Sequence, residues 1–280
     1  MNDPDTEKLT SKDIKRNITA LFNLVADGYD NPSTRFFSYC ANKMLDILQP
    51  GKNTLLLDIA TGTGAVATRA ARMLLPEGRV DGIDLSEKML EQASKNSQKL
   101  ALCNIDLHVM DAEKPAFAND YFHNITCSFG IFFIPDINSA LSNWLRILQP
   151  GGKIIFSTFA PDAFSPLTDK FKERMSQYDI DLPTESWLRV SEAQQCNDLL
   201  EQAGFSDIDV IDMQLGYHLL NTDDWWDILW NTGYRGFLNQ LSASDLSRFR
   251  TEHLNEIEQY KTEDGLWLNI HILYSSARKP

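Results

Sequence analysis

Leu55-Leu56-Leu57-Asp58-Ile59-Ala60-Thr61-Gly62-Thr63-Gly64 is the stretch on which the reading of this chain turns. An apolar run ends in an acid and passes through two glycines into an alanine-rich segment. That order predicts a strand, a tight glycine turn and a helix whose first backbone N–H groups face a ligand. It is a nucleotide-type cradle. Written as Gly62-x-Gly64-x-x-Ala67 it matches the dinucleotide fingerprint, so the cradle alone admits several nucleotides.

The rest of the composition bounds the answer. The chain has 280 residues, 43% of them apolar and 10% aromatic, ample for a packed core. Its formal charge of −13 repels phosphate backbones and anionic lipid, which disfavours nucleic acid and membrane surfaces as partners. Cys40, Cys103, Cys127 and Cys196 show no C-x-x-C spacing and read as reduced packing residues. The first residues are polar and acidic, and no run approaches the ~20 apolar residues of a membrane span. A cytoplasmic protein is expected, of unspecified oligomeric state.

Taken in order, residues 1–48 predict a tail to about residue 12 and then a helical lid, broken at Gly28-Tyr29-Asp30-Asn31-Pro32. Residues 49–215 predict an alternating β/α core. Its strands lie at 55–59, 80–84, 105–110, 121–129, 153–159 and 205–213. Ser86 and Asp136 are placed to cap helices, and Ser191-x-x-Gln194 reads as a capping box. Residues 160–190 look irregular, with prolines at 161, 166 and 183. Residues 216–264 predict a helical cap insertion, and 265–280 a closing strand spanning about Leu266 to Tyr274. The fold class expected is α/β: a Rossmann-like, doubly wound, mostly parallel seven-stranded sheet with an N-terminal helical lid and a helical insertion between the last two strands.

Three acids fall at the carboxyl ends of successive strands: Asp58, Asp84 and Asp111. Ligands of open α/β sheets sit outside those ends. Asp84 follows Gly64 by 20 residues, where a carboxylate can accept from both ribose hydroxyls. Asp111 is placed to accept from an exocyclic adenine amino group. An acid at position 58 suits a cofactor with a free amino group and a cationic sulfur, and sits badly beside pyrophosphate.

On these residues the chain resembles the class I S-adenosylmethionine-dependent methyltransferases, in the branch that includes the ubiquinone/menaquinone C-methyltransferases. The matching pieces are Asp58-Ile-Ala-Thr-Gly62-Thr-Gly64, Gly82-Ile-Asp84-Leu-Ser86-Glu-Lys-Met89-Leu, Met110-Asp111-Ala112-Glu113, Ser128-Phe129-Gly130 and Leu148-Gln-Pro-Gly-Gly-Lys153. The lid stretch Leu21-Phe22-x-x-x-Ala26-x-x-Tyr29-Asp30 is similar too. The resemblance implies S-adenosyl-L-methionine as cofactor. Asp58, Ala60, Thr61, Gly62 and Gly64 would surround its methionyl part, with Ser128 beside it and Tyr29 closing over it. Asp84 would take the ribose, Leu85 and Met89 the adenosine, and Asp111, Ala112 and Glu113 the adenine. Gly130-Ile-Phe-Phe-Ile134-Pro-Asp136 replaces the branch's longer polar signature after the fourth strand, and the insertion is also a departure.

The lid, the segment after the fifth strand and the insertion are rich in rings and are expected to converge over the donor. Together they favour a small, apolar or aromatic acceptor, methylated at carbon or oxygen by in-line displacement. Should the acceptor need to lose a proton, His218 is the first candidate base, with Tyr29 and Tyr217 as alternatives. No cluster has metal-ligand spacing. The competing readings are an NAD(P)-dependent oxidoreductase and a non-catalytic cofactor-binding protein.

Overall fold

The computed structural model describes residues 10–180, 182 and 185–280. The chain opens with α1 (Ser11–Val25), and Thr10 and Asp13 form a reciprocal capping box at its start. The helix therefore begins inside the segment read as tail, whose first nine residues lie outside those described. After a turn, α2 (Phe36–Leu48) ends at Gln49, which adopts a left-handed conformation (φ 47°).

The core then alternates: β1 (Leu55–Ile59), α3 (Ala65–Leu74), β2 (Arg79–Asp84), α4 (Glu87–Lys99), β3 (Ile105–Val109), β4 (Phe122–Ser128), α5 (Ile137–Ile147) and β5 (Leu148–Phe159). Ser86 Oγ accepts from the Met89 N–H at 3.1 Å and Asp136 Oδ1 from the Ser139 N–H at 3.0 Å, the two caps expected of them. Next come α6 (Leu167–Ser176), α7 (Ala193–Gln202) and β6 (Ser206–Gln214).

The insertion carries β7 (Tyr217–Leu219), α8 (Thr222–Asn231), the short α9 (Arg235–Leu238), α10 (Ala243–Ile257) and β8 (Lys261–Thr262). The chain closes with β9 (Gly265–Leu268) and β10 (His271–Arg278).

Seven strands form one sheet in the order β3-β2-β1-β4-β5-β10-β6. Only β10 runs antiparallel, pairing with β5 on one side and β6 on the other. The first five strands therefore point their carboxyl ends to a common edge. The order reverses between β1 and β4, and the crevice for a ligand opens there. β1 and β4 are nearly fully buried, as central strands covered on both faces must be.

Four local expectations need correction. Residues 160–190 are not irregular: α6 and a 3-10 turn (Ser186–Val190) occupy much of them. The capping box of α7 is made by Glu192 and Gln195, one residue beyond the pair read from the sequence. The closing strand is broken, because 265–268 peels away to pair with β7 and β8 in a three-stranded sheet. The insertion is thus part sheet, its central strand supplied by residues assigned to the core. Two- and three-residue strands carry too little alternation to be read from sequence.

One core residue bears directly on the site. Trp144, fully buried on α5, donates its indole N–H to the Ala112 carbonyl at 2.7 Å. Helix α5 and the turn after β3 are locked together by this bond. Emptying the Trp144 site would cost about 3–5 kcal/mol and release the turn that holds Asp111.

Candidate functional site

The floor of the site is the turn after β1. Ala60 and Gly62 both take positive φ (52° and 55°), and Gly64 follows at 84° as the residue preceding α3. A Cβ added to Gly62 would meet nothing within 4 Å. The space it would fill is the mouth of a pocket that Gly62 itself lines. Gly130, at the end of β4, is required for a different reason. A Cβ there would lie 2.5 Å from that of Ala60, so the β1 and β4 ends meet only without it.

Asp58 sits beneath this floor. It is buried, and its two carboxylate oxygens accept from the Thr61 and Thr126 hydroxyls at 2.6 and 2.7 Å. Burial pushes its carboxyl up to about 6, against the pull of those hydroxyls. It anchors the Thr61 side chain within the turn and does not itself line the pocket.

Asp84 ends β2. Its Oδ2 accepts from the Gly62 N–H and its Oδ1 from the Ser86 N–H, both at 2.9 Å. Each oxygen keeps a lone pair for hydroxyl donors within the pocket. Burial raises its carboxyl above the usual range. Asp111, after β3, accepts from the Glu113 N–H through Oδ1 and from Lys15 Nζ through Oδ2, at 2.9 and 2.8 Å. Glu113 is buried behind it, accepting from Lys15 at 2.5 Å and from the Asp136 N–H at 3.0 Å.

The lid is docked onto this frame. Val25 and Ala26 pack on Met89 of α4, with Phe22 and Tyr29 alongside. Asn23 Oδ1 accepts from Ser86 Oγ at 2.7 Å, and Asp30 accepts from Thr63 and from Asn96, each at 2.7 Å.

Two pockets result. The first, about 110 Å³, is lined by Lys15, Ala60, Gly62, Asp84, Leu85, Met89, Asp111, Ala112 and Ser128 among others. The second, about 230 Å³, is walled by rings from the lid, from the segment after β5 and from the insertion. Phe22, Tyr29, Phe129 and Phe133 line both, and they form the junction between them. Tyr29 stacks on Phe37 with centroids 4.8 Å apart, and Phe129 on Phe159 at 4.3 Å.

Of the residues singled out in the sequence, Tyr29, Ala60, Gly62, Asp84, Leu85, Met89, Asp111, Ala112 and Ser128 meet in the first pocket. Asp58, Thr61, Gly64 and Glu113 do not line it; they hold the turns that do. His218 is displaced from the position expected of it. Its strand pairs with β9, its ring lies 5.0 Å from Trp267, and it lines neither pocket. The pairing with β9, invisible in the sequence, aims it away. Tyr29 does face the junction. Desolvation, with Asp30 and Asp84 nearby, drives its phenol far above the usual range, so it keeps its proton and is no base at neutral pH.

Sequence reasoning missed Lys15, Phe129, Phe132 and Phe133 as pocket residues. Lys15 reads as one more charge on a solvated helix, and the phenylalanines as strand-end core. Among the described residues no group of three or more His, Cys, Asp or Glu side chains is placed to hold a metal ion.

Strand order, glycine cradle and strand-end acids together define the class I methyltransferase fold. Solved structures share it. Phosphoethanolamine N-methyltransferase 2 of Haemonchus contortus, in complex with S-adenosyl-L-methionine, matches with a TM-score of 0.55 at 23% identity, covering 99% of this chain and 59% of that one. The [4+2]-cyclase SpnF matches with a TM-score of 0.60 at 20% identity, covering 97% of both chains.

Residues 8–183 match the model of the ubiE/COQ5 methyltransferase family, and the chain belongs to that family. Aklanonic acid methyltransferase DauC of Streptomyces sp. (strain C5) is 32% identical over 191 residues, covering 68% of this chain and 87% of the relative. The ubiquinone/menaquinone biosynthesis C-methyltransferase UbiE of Rickettsia bellii is 34% identical over 173 residues, covering 59% and 70%. Nocamycin O-methyltransferase of Saccharothrix syringae is 31% identical over 134 residues, covering 48% of each chain. S-adenosylmethionine is the cofactor of this family, and membership sets aside the nicotinamide reading of Gly62-x-Gly64-x-x-Ala67. No helix of the described residues is long and apolar enough to cross a membrane.

Proposed function

We propose that the protein transfers a methyl group from S-adenosylmethionine, held in the first pocket, to a small, largely apolar acceptor held in the second. The observation that carries this reading is the shared wall: Phe22, Tyr29, Phe129 and Phe133 belong to both pockets. A donor and an acceptor bound there would meet at a ring-lined, water-poor junction.

The residues present fit the donor. Asp84 holds the ribose through lone pairs left by the Gly62 and Ser86 amides, and Asp111 reads the adenine amino group. Leu85 and Met89 pack on the adenosine, and the open space over Gly62, with Ala60 and Ser128, takes the methionyl chain. Bound there, the cofactor supplies an electrophilic methyl on a cationic sulfur. The rings of the junction suit that cation electrostatically, exclude water and align the two reactants.

Phe22, Phe129 and Phe133 cannot take a proton, and Tyr29 keeps its own. The geometry therefore favours an acceptor that needs no base at the reacting atom, either an activated carbon or an oxygen that arrives ionised. DauC and UbiE are named for acids and quinones, both oxygenated organic molecules, which fits this reading without choosing between them.

Calorimetry with S-adenosylhomocysteine and NADH tests the donor, and a methyl-transfer assay over an acceptor library tests turnover. Binding of S-adenosylhomocysteine alone is expected, followed by methylated product. Binding without any turnover across the library would support a non-catalytic role, and a rearranged, unmethylated product would support a different reaction on the same fold. The cyclase SpnF shows that this fold is not tied to methyl transfer.

A further inference from the structure

The acceptor pocket is walled mostly by rings, and Lys172, Glu185, Ser186 and Thr232 are polar residues that line it too. There Tyr234 Oη and Trp187 Nε1 are buried, and neither has a hydrogen-bond partner among the described residues. Tyr234 is 9% exposed, and both residues line the acceptor pocket and not the donor pocket. Their rings flank Phe164, with centroids 6.1 and 6.4 Å away, so the two groups belong to one wall. Trp187 packs edge-on against Phe159, and Phe159 in turn stacks on the junction residue Phe129. One ring therefore separates Trp187 from the junction.

Leaving two such groups buried and unpaired is costly, and native interiors avoid it unless something else satisfies them. Indole N–H is a donor only, so whatever meets Trp187 must be an acceptor atom. Tyr234 is kept protonated by its burial and likewise donates. A neutral carbonyl oxygen, which only accepts, suits either donor. A carboxylate would need a counter-charge, and the cation on this wall, Lys172, is already paired with Glu185.

We propose that Trp187 and Tyr234 form a specificity handle: they recognise a neutral carbonyl oxygen on the acceptor, remote from the atom that is methylated. The inference rests on the proposed assignment of this pocket to the acceptor. At about 230 Å³ the pocket exceeds the roughly 150 Å³ of an engineered cavity that admits benzene, so a bicyclic molecule is a suitable probe.

The test uses 1-tetralone and tetralin, which share a carbon skeleton and differ by the carbonyl. Both are titrated into the full-length protein saturated with S-adenosylhomocysteine, and into Trp187→Phe and Tyr234→Phe, which keep the rings and remove the donors. The ketone is expected to bind at least about tenfold more tightly than the hydrocarbon, with the preference falling severalfold in each variant. Its infrared carbonyl stretch should move to lower frequency on binding and recover partly in each variant, which a merely structural role would not produce. Equal binding of the pair, binding of neither, or a preference that survives both substitutions would overturn the handle. Failure of S-adenosylhomocysteine to bind at all would instead defeat the underlying methyltransferase assignment. Retained S-adenosylhomocysteine affinity in both variants shows that they are folded.

Discussion

Lys15 of the lid lies 2.8 Å from Oδ2 of Asp111, the carboxylate proposed to read the adenine amino group. A second bond to Glu113 at 2.5 Å holds the ammonium in place. The lid helix is thus tied to the core through Asp111 and through Glu113 behind it. Lys15 and the ligand can share Asp111, since each carboxylate oxygen accepts more than one donor.

Breaking that tie should loosen the lid more than the site. In Lys15→Met the loss of two partly exposed ion pairs amounts to about 1–2 kcal/mol, roughly 5- to 30-fold in rate. Dissociation of S-adenosylhomocysteine should quicken by that factor, as read by stopped-flow fluorescence. An unchanged off-rate would separate Lys15 from lid closure.

The two strand-end acids should fail differently. Asp84→Asn removes a charged acceptor and disturbs the Gly62 turn it supports. S-adenosylhomocysteine affinity should drop by about 1.5–3 kcal/mol, roughly 10- to 150-fold, measured by calorimetry. Asp111→Asn should instead erase discrimination between S-adenosylhomocysteine and S-inosylhomocysteine, which lacks the amino group. A preference left intact would remove Asp111 from base recognition.

Tyr29→Phe retains the ring at the junction and deletes only the hydroxyl. Because that phenol keeps its proton, the variant should lose less than about tenfold in kcat, short of the ~10²–10⁴ of a true general base. The pH–rate profile should keep its shape. His218→Ala should leave turnover within about twofold, since His218 faces Trp267 and not the pocket. A collapse of activity in either variant, in a methyl-transfer assay, would reinstate the base.

His253 gives the stability a pH dependence. It is fully buried on α10, accepts from the Trp225 indole N–H at 3.0 Å, and burial depresses its pKa to about 3. An unfolded histidine titrates near ~6.5, so between these values the unfolded chain binds the extra proton. Stability from this group is therefore complete above ~6.5 and is lost as pH falls toward 3, with a slope approaching ~1.4 kcal/mol per unit. Asp58, raised to about 6, acts in the opposite sense between ~4 and 6, its penalty vanishing on acidification. Urea unfolding of wild type and His253→Gln at pH 7, 5.5 and 4.5 isolates the histidine. The variant's stability should fall less steeply.

How far the sequence could be read depended on the range of the interactions involved. Asp58, Asp84 and Asp111 were recognisable because each ends an apolar run, a relationship of a few residues along the chain. Which of them faces a ligand was not recognisable. Asp58 is turned inward by Thr61 and Thr126, and the Thr126 contact crosses from a neighbouring strand. His218 likewise stood at the right edge of the right strand order. Its aim was set by pairing with Trp267, far along the chain.

The sequence by itself determined the alternating fold, the glycine cradle and the helix caps at Ser86 and Asp136. All of these follow from propensities and spacings within one strand–turn–helix unit, where neighbours in sequence are neighbours in space. The sequence also placed three ring-rich segments over the donor, but only the tertiary structure decided which of their rings wall the second pocket. Its walls come from the lid, from the ends of β4 and β5 and the segment after β5, and from the insertion. None of those segments carries a local signal for the others. Only when the sheet brings its carboxyl edge under all of them do Tyr29 and Phe129 become a junction, and Trp187 and Tyr234 a pair.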